Sequence, residues 1–313
     1  MQTLRLYCEV ARYRSFSAAA ARQGITQSAA SQRIGALERR LGIILLDRSV
    51  RPLALTPAGE LFLRGCRELL ERYDSLQQEV LSLNGEVSGQ VEVAAIYSAG
   101  IDLLNRVREQ FEQHHRGVSV TINYQRPDQV YQTTRGQHCD IGIVSYPQAW
   151  RDIAKIPLRE EEMVVVCAAS HELAGRRGRV HASELGRWPM LTFESELPVG
   201  RAIRRYLKQH GAAISIINVF DNIDTLKSAV AATGTWSILP RRTVLRELQA
   251  GSLEALDLDP PLARPIGIIY RRGRGNGEFP PAVQTFVDYL LASAGPGAEF
   301  DIADDQATEV SSL

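Results

Sequence analysis

The sequence predicts an α/β protein headed by a small helical module, and three observations carry that prediction. Residues 15–59 hold two short helical patterns split by Gly24. The stretch that follows keeps a single helical period up to about Leu83. From Val91 onward, short apolar runs alternate with helical patterns, the order that builds a parallel sheet.

Composition sets the bounds. The chain has 313 residues, 44% hydrophobic and 23% charged, enough for two or three domains with real cores. There is no charged-then-apolar leader and no apolar run near the roughly 18 residues of a membrane span, so a cytoplasmic protein is expected. Net charge is zero but unevenly spread. Residues 1–60 hold nine Arg (5, 12, 14, 22, 33, 39, 40, 48 and 51) against Glu9, Glu38, Asp47 and Glu60, or 9 − 4 = +5, which leaves −5 for the rest. A basic module on an acidic body is the footprint expected where one part meets nucleic acid.

Leu4, Tyr7, Val10 and Ala11 have helical spacing and predict a first helix. Ser15-Phe16-Ser17-Ala18-Ala19-Ala20 begins a second, with Ala19 and Ala20 small enough for close packing. Gly24 supplies a turn, and Thr26 can cap the next helix. That third helix is unusual in its first half, where Gln27, Ser28, Ser31, Gln32 and Arg33 crowd together. Ile34, Leu37 and Leu41 supply its apolar stripe, and Ala29 is assigned to the core. Amides and hydroxyls at a helix N-terminus suit base edges and phosphates in a major groove. Leu45 to Thr56 reads as a two-stranded wing with Asp47, Arg48, Arg51 and Pro52 toward its tip.

Thr56-Pro57 is a cap followed by Pro at the first helical position, so a long helix is expected from there to about Leu83. Phe62, Leu69, Leu76 and Leu83 recur every seven residues, as do Cys66, Tyr73 and Val80, which predicts a dimer-forming seam. Asn84-Gly85 and Ser88-Gly89 then make a hinge.

Beyond it, strands are expected at Val91–Ile96, Val118–Ile122 and Asp140–Val144, with helices at Ile101–His114 and Asp128–Arg135. A second lobe opens with a strand at Met163. Strands at Met190–Phe193, Ile214–Phe220 and Ser237–Pro240 alternate with helices at Arg201–Gln209 and Asp224–Ala232. Ile266–Tyr270 returns to the first lobe and Val283–Ala292 is the last helix. Ligand chemistry in such a sheet gathers at the strand C-termini. Gly273-x-Gly275-x-Gly277 lacks the spacing and the Lys-Ser/Thr of a phosphate loop and reads as a plain loop. No G-x-S-x-G or H-E-x-x-H is present, so no enzyme is expected and no catalytic or metal-binding residue is assigned. Cys8, Cys66, Cys139 and Cys167 read as buried thiols, with a redox switch between Cys139 and Cys167 as the alternative.

The segment Leu4–Gly59 resembles the DNA-binding domain of LysR-type transcriptional regulators. The match rests on Ser15–Ala20, Thr26-Gln27 with Ser31, Leu37-Glu38 to Leu41-Gly42, Leu45–Arg48 and Leu55-Thr56-Pro57-Ala58-Gly59. It departs at Ser28, Ala30 and Leu46, where the family commonly has Pro, Val and Phe, which bears on base preference. The rest, to about Gly295, is similar to the family's two-lobed, periplasmic-binding-protein-like effector domain, on weaker motifs: Asp140-x-Gly-Ile, Val230-Ala-Ala-x-Gly234 and Ile238-Leu-Pro240.

The resemblance implies a winged helix-turn-helix at 1–58, a dimerising linker helix and hinge at 59–88, and an effector domain at 89–295. Its first lobe would take about 89–161 and 264–295 and its second about 162–263, with a disordered tail at 296–313. The implied partners are double-stranded DNA, a small-molecule effector, further copies in a homodimer or homotetramer, and RNA polymerase, with no cofactor. The implied DNA-binding residues are Ser17, Thr26, Gln27, Ser28, Ser31, Gln32, Arg48 and Arg51. Ser98, Ser145, Tyr146, Phe193, Ser195, Asn222 and Trp236 are the candidate effector contacts, each with a loop, cap or core role as its alternative. Glu194 would oppose an anionic effector unless Arg201 pairs with it. A solute-binding protein or a transferase is the rival reading, opposed by the basic N-terminal module.

Overall fold

The computed structural model describes residues 1–82, 87–176, 178–272 and 279–294. They form two compact units, the first running to Ser88 and the second opening at Gly89.

The first unit contains α1 (Gln2–Tyr13), α2 (Phe16–Arg22), α3 (Gln27–Leu41), β1 (Leu46–Asp47), β2 (Ala54–Leu55) and α4 (Pro57–Ser82). β1 and β2 pair antiparallel as the wing. Ala19, Ala20 and Ala30 are buried between the first three helices, and the absence of bulk there lets α2 approach α3. Gly24 has φ +63, the left-handed turn that Gly adopts without steric cost. Two expectations change. Ala30 takes the core position and Ala29 is only half-buried, while Leu41 is 40% exposed because the end of α3 projects past the core.

The long helix carries two apolar stripes rather than one. Leu63, Cys66 and Leu70 are buried within their own unit, and Phe62 packs on the same core. Leu69, Tyr73, Leu76 and Val80 stay exposed, at 62%, 40%, 48% and 56%. Phe62 and Cys66 therefore leave the expected seam, and its last member, Leu83, lies outside the described residues. So do Asn84-Gly85 of the hinge, the 273–277 glycine loop and the tail from Gly295.

The second unit runs β3 (Gly89–Ile96), α5 (Tyr97–His114), β4 (Val118–Gln125), α6 (Pro127–Arg135), β5 (Ile141–Ser145), β6 (Ile153–Ala168), β7 (Arg179–His181), β8 (Met190–Phe193), α7 (Pro198–Gln209), β9 (Ile216–Phe220), α8 (Ile223–Thr233), β10 (Trp236–Pro240), α9 (Leu245–Gln249), β11 (Leu253–Arg271) and α10 (Pro281–Ser293). One sheet passes through both lobes in the order β4-β3-β5-β11-β6-β10-β8-β9, with β7 on β11. β3 is parallel to β4 and β5, and β8 is parallel to β9 and β10. The antiparallel pair β6 and β11 crosses from lobe to lobe, with an irregularity between Asp257 and Leu262. The sequence pattern marks only the ends of these strands, Met163 onward and Ile266–Tyr270. Their middles carry charge and proline, which hides the strand period.

Candidate DNA interface and effector cleft

At the N-terminus of α3, Gln27, Ser28 and Gln32 are exposed and Ser31 is half-buried, so four polar side chains line the start of one helix. Thr26 spends its hydroxyl locally, accepting from the Ala29 N–H at 3.2 Å. Ser15, not Ser17, caps α2, accepting from the Ala18 N–H at 3.3 Å. Ser17 is thereby left exposed in the first turn of α2, where helix N–H groups favour a phosphate.

Arg48 is not loose at the wing tip. Its Nη2 donates to Glu38 Oε2 at 2.8 Å and its Nη1 to Ser31 Oγ at 3.4 Å, while the guanidinium lies 5.2 Å over the Phe16 ring. Glu38 also accepts from the Leu45 and Leu46 N–H groups at 2.9 and 3.1 Å. A single carboxylate thus ties α3 to the wing and aims Arg48 along the recognition helix. Arg51 is exposed in the wing loop.

In the second unit, the strand C-termini of both lobes converge. Arg126, just after β4 in the first lobe, donates to Asp221 after β9 and lies 3.5 Å from Glu194 Oε2 after β8. Arg201 instead donates to the Ser195 and Glu196 carbonyls. Glu194 is therefore paired across the cleft, not within its own lobe as expected.

Beneath this latch lies a buried ion cluster that sequence reasoning missed. Arg264 on β11 faces Glu161 on β6 in register, and Arg264 is only 1% exposed. Its Nε donates to Glu161 Oε2 at 3.1 Å, and its Nη2 donates to the same oxygen. Nη1 donates to Ser98 Oγ at 3.0 Å and Nη2 to the Ser98 carbonyl at 2.9 Å. Arg159 pairs with the other oxygen of Glu161. Two guanidiniums share one carboxylate, a net charge of 2 − 1 = +1. Unpaired charge of that kind is costly inside a protein and attracts a counter-anion. In sequence, Arg159 to Glu162 looks like a solvated charge run, and only its place in the middle of a crossing strand marks it out.

Ser145 ends β5 buried, and Tyr146 follows with φ +51. Among the described residues the Tyr146 hydroxyl, Arg159 Nε and the Thr192 hydroxyl are buried without a hydrogen-bond partner. Burial pushes the Tyr146 phenol up, against the opposing pull of Arg264. Tyr146, Lys155, Arg159 and Pro265 help line a cavity of about 540 Å³.

Other candidates land elsewhere. Trp236 is 0% exposed and packs in the second-lobe core, with its Nε1 donating to the Trp188 carbonyl at 3.2 Å. It is a core indole and not a cleft wall, because β10 is an interior strand. Phe193 is likewise buried in that core. Asn222 caps α8 through Oδ1, which accepts from the Asp224 and Thr225 N–H groups. Ser195 is exposed and donates to Glu196. Cys139 is buried beside Thr134 in the first lobe, and Cys167 lies in the second-lobe core, where burial pushes its thiol up to about 11. Neither thiol has the depressed pKa that a redox switch needs.

A basic winged module, a long helix with an exposed apolar stripe and a two-lobed body with a cationic floor define a ligand-responsive DNA-binding protein. Family models support that reading. Residues 1–60 match the bacterial regulatory helix-turn-helix protein of the lysR family, and residues 84–295 match the LysR substrate binding domain. The chain is 30% identical over 280 residues to the SDS degradation transcriptional activation protein of a Pseudomonas species, covering 88% of this chain and 90% of that protein. It is 25% identical to the RuBisCO operon transcriptional regulator of Acidithiobacillus ferrooxidans, with 95% of each covered. Among solved structures, a full-length OxyR variant from Pseudomonas aeruginosa matches with a TM-score of 0.71 at 22% identity, covering 93% of this chain and 96% of that one. CbnR in complex with its target DNA matches with a TM-score of 0.60 at 19% identity, covering 94% and 99%. The chain belongs to the LysR family of transcriptional regulators, and it pairs a DNA-binding helix-turn-helix with an effector-binding domain.

Proposed function

We propose that the cleft takes a small anionic effector and that its occupancy alters how the chain holds promoter DNA. The observation that carries this reading is the buried surplus guanidinium charge of Arg159 and Arg264 around Glu161, joined to Ser98. Ser98 sits in the first turn of α5, an 18-residue helix whose N-terminal dipole adds to the positive field. Glu194 no longer opposes an anion, since Arg126 neutralises it. The ligand acts only through a difference in affinity between two arrangements of the regulator.

On the DNA side, Gln27, Ser28, Ser31 and Gln32 read base edges, Gln27 being suited to a bidentate pair with adenine. Ser17, Arg48 and Arg51 hold phosphates. The chain works as a homodimer or homotetramer. The exposed Leu69-Tyr73-Leu76-Val80 stripe has the 4-3-4 spacing of a two-helix seam. The sheet edge β9 exposes Ile216, Ile217 and Val219 as a further apolar surface. Contact with RNA polymerase and residence in the cytoplasm follow from promoter regulation. No helix among the described residues is long and apolar enough to cross a membrane.

A thermal-shift screen of the full chain tests the effector reading, because a ligand of the folded state raises its melting point. Small carboxylates, sulfonates and phosphates are compared with their neutral amide and alcohol analogues. Anion-selective stabilisation that is lost in Arg264→Gln is the expected result. Equal stabilisation by the neutral analogues would overturn it.

A further inference from the structure

The search for chemistry outside the cleft ends at the contact between α1 and α4, where two of the four cysteines meet. Cys8 lies on α1, half-buried, and Cys66 lies on α4, buried. Their thiols share a hydrogen bond across the packed helices. The same contact holds Tyr7, whose hydroxyl donates to the Gly59 carbonyl at 2.9 Å and whose ring meets Phe62 edge-on at 5.3 Å. The backbones around the two sulfurs are therefore held in place from both helices.

We propose that Cys8 and Cys66 form an oxidative modification site, in which a peroxide converts the thiol pair to a disulfide that joins the first helix of the DNA-binding unit to the long helix.

Three features assign the roles. Cys8 is the more exposed of the two, so a small oxidant reaches it first. The hydrogen bond from Cys66 holds the Cys8 thiol below its usual range, and the nearby Arg67 and Arg5 guanidiniums add to this against burial and Glu9. Cys66 is pushed the other way, by that hydrogen bond and by burial, so it stays protonated. A thiolate next to a protonated partner is the arrangement of an attacking and a resolving cysteine.

The chemistry balances. Cys8 thiolate attacks one peroxide oxygen, the O–O bond breaks, and hydroxide leaves as Cys8 sulfenic acid forms. That hydroxide takes the Cys66 proton and becomes water. Cys66 thiolate then attacks the Cys8 sulfur, the S–O bond breaks, and a second hydroxide departs to be protonated by solvent. Counting the proton that Cys8 had already released, two thiols and hydrogen peroxide become one disulfide and two waters. The two electrons go to the peroxide.

The site is independent of the effector cleft, so either can fail without the other. It also differs from the Cys139 and Cys167 alternative, because those thiols lie singly in different lobes.

The test uses the full-length protein, reduced and then treated with hydrogen peroxide. Remaining thiols are alkylated under denaturing conditions and the chain is digested with trypsin. The expected product is one linked pair, Leu6–Arg12 joined to Gly65–Arg67, with Cys139 and Cys167 alkylated. In Cys66→Ser, the sulfenic-acid trap dimedone is expected on Cys8. In Cys8→Ser, Cys66 is expected to take none. Closing a loop of 66 − 8 = 58 residues also restrains the unfolded chain, so oxidation is expected to raise the melting point of the first unit in the wild type and in neither variant. Recovery of both Cys8 and Cys66 as alkylated peptides after peroxide would overturn the proposal. So would dimedone on Cys66 but not Cys8.

Discussion

Arg264 and Ser98 are joined twice across the sheet, the guanidinium giving one N–H to the serine hydroxyl and one to its carbonyl, at 3.0 and 2.9 Å. The pair links the crossing strand β11 to the first turn of α5, and so links the hinge between the lobes to the helix dipole that faces the cleft. Ser98→Val keeps the carbonyl bond and removes the hydroxyl. The expected outcome is a loss of roughly 1–3 kcal/mol in affinity for an anionic effector, read by calorimetry. DNA affinity without effector is expected to hold. Unchanged effector affinity would take Ser98 out of the site.

Glu38 offers a second test. Its carboxylate accepts from the N–H groups of Leu45 and Leu46 and binds Arg48. Glu38→Ala leaves two N–H groups in the core without acceptors and frees the wing. A loss of roughly 2–4 kcal/mol in stability of the first unit is expected in denaturant melts. A loss below about 0.5 kcal/mol would mean the wing is held by something else.

The latch between the lobes is exposed, with Arg126 and Asp221 side chains 43% and 50% accessible. A double-mutant cycle on Arg126→Ala and Asp221→Ala is expected to give a coupling of only about 0.2–1 kcal/mol, shrinking with added salt. A weak latch suits a cleft that has to open for its ligand. A coupling above about 2 kcal/mol would contradict a cleft that opens easily.

Leu69→Glu with Leu76→Glu places two carboxylates on the exposed stripe of α4. Sedimentation is expected to show half the mass or less at the same concentration. An unchanged mass would place the assembly surface elsewhere.

These tests draw unequally on what the sequence makes legible. The winged module was readable nearly residue by residue. Its turns need Gly24 and Gly42, its close approach needs Ala19, Ala20 and Ala30, and its polar recognition turn has few other uses. The alternating elements of the body were readable for the same reason, since buried parallel strands are continuous apolar runs. The cleft was not. Arg159, Glu161 and Arg264 come from strands about a hundred residues apart, and no local pattern announces a pairing set by long-range register. The roles of Trp236 and Phe193 were misjudged because sequence shows which strand a residue ends, not which face it occupies. The heptad reading merged two stripes because a period of seven cannot say whether Cys66 faces its own domain or another copy.

Gln27 bears most directly on the claim that this chain reads DNA through the first turn of α3. The decisive measurement is selection from a pool of randomised duplexes by the wild-type chain and by Gln27→Ala and Arg48→Ala, followed by affinity measurements on the winning sequence and a scrambled one. The expected result is an inverted pair of half-sites for the wild type. Gln27→Ala is expected to lose preference at one base in each half, at a cost of about 1–3 kcal/mol on the selected site alone. Arg48→Ala is expected to keep the motif, bind every duplex more weakly and show a flatter salt dependence. Enrichment of the same motif by Gln27→Ala with undiminished affinity, or no enrichment by the wild type at all, would contradict the claim.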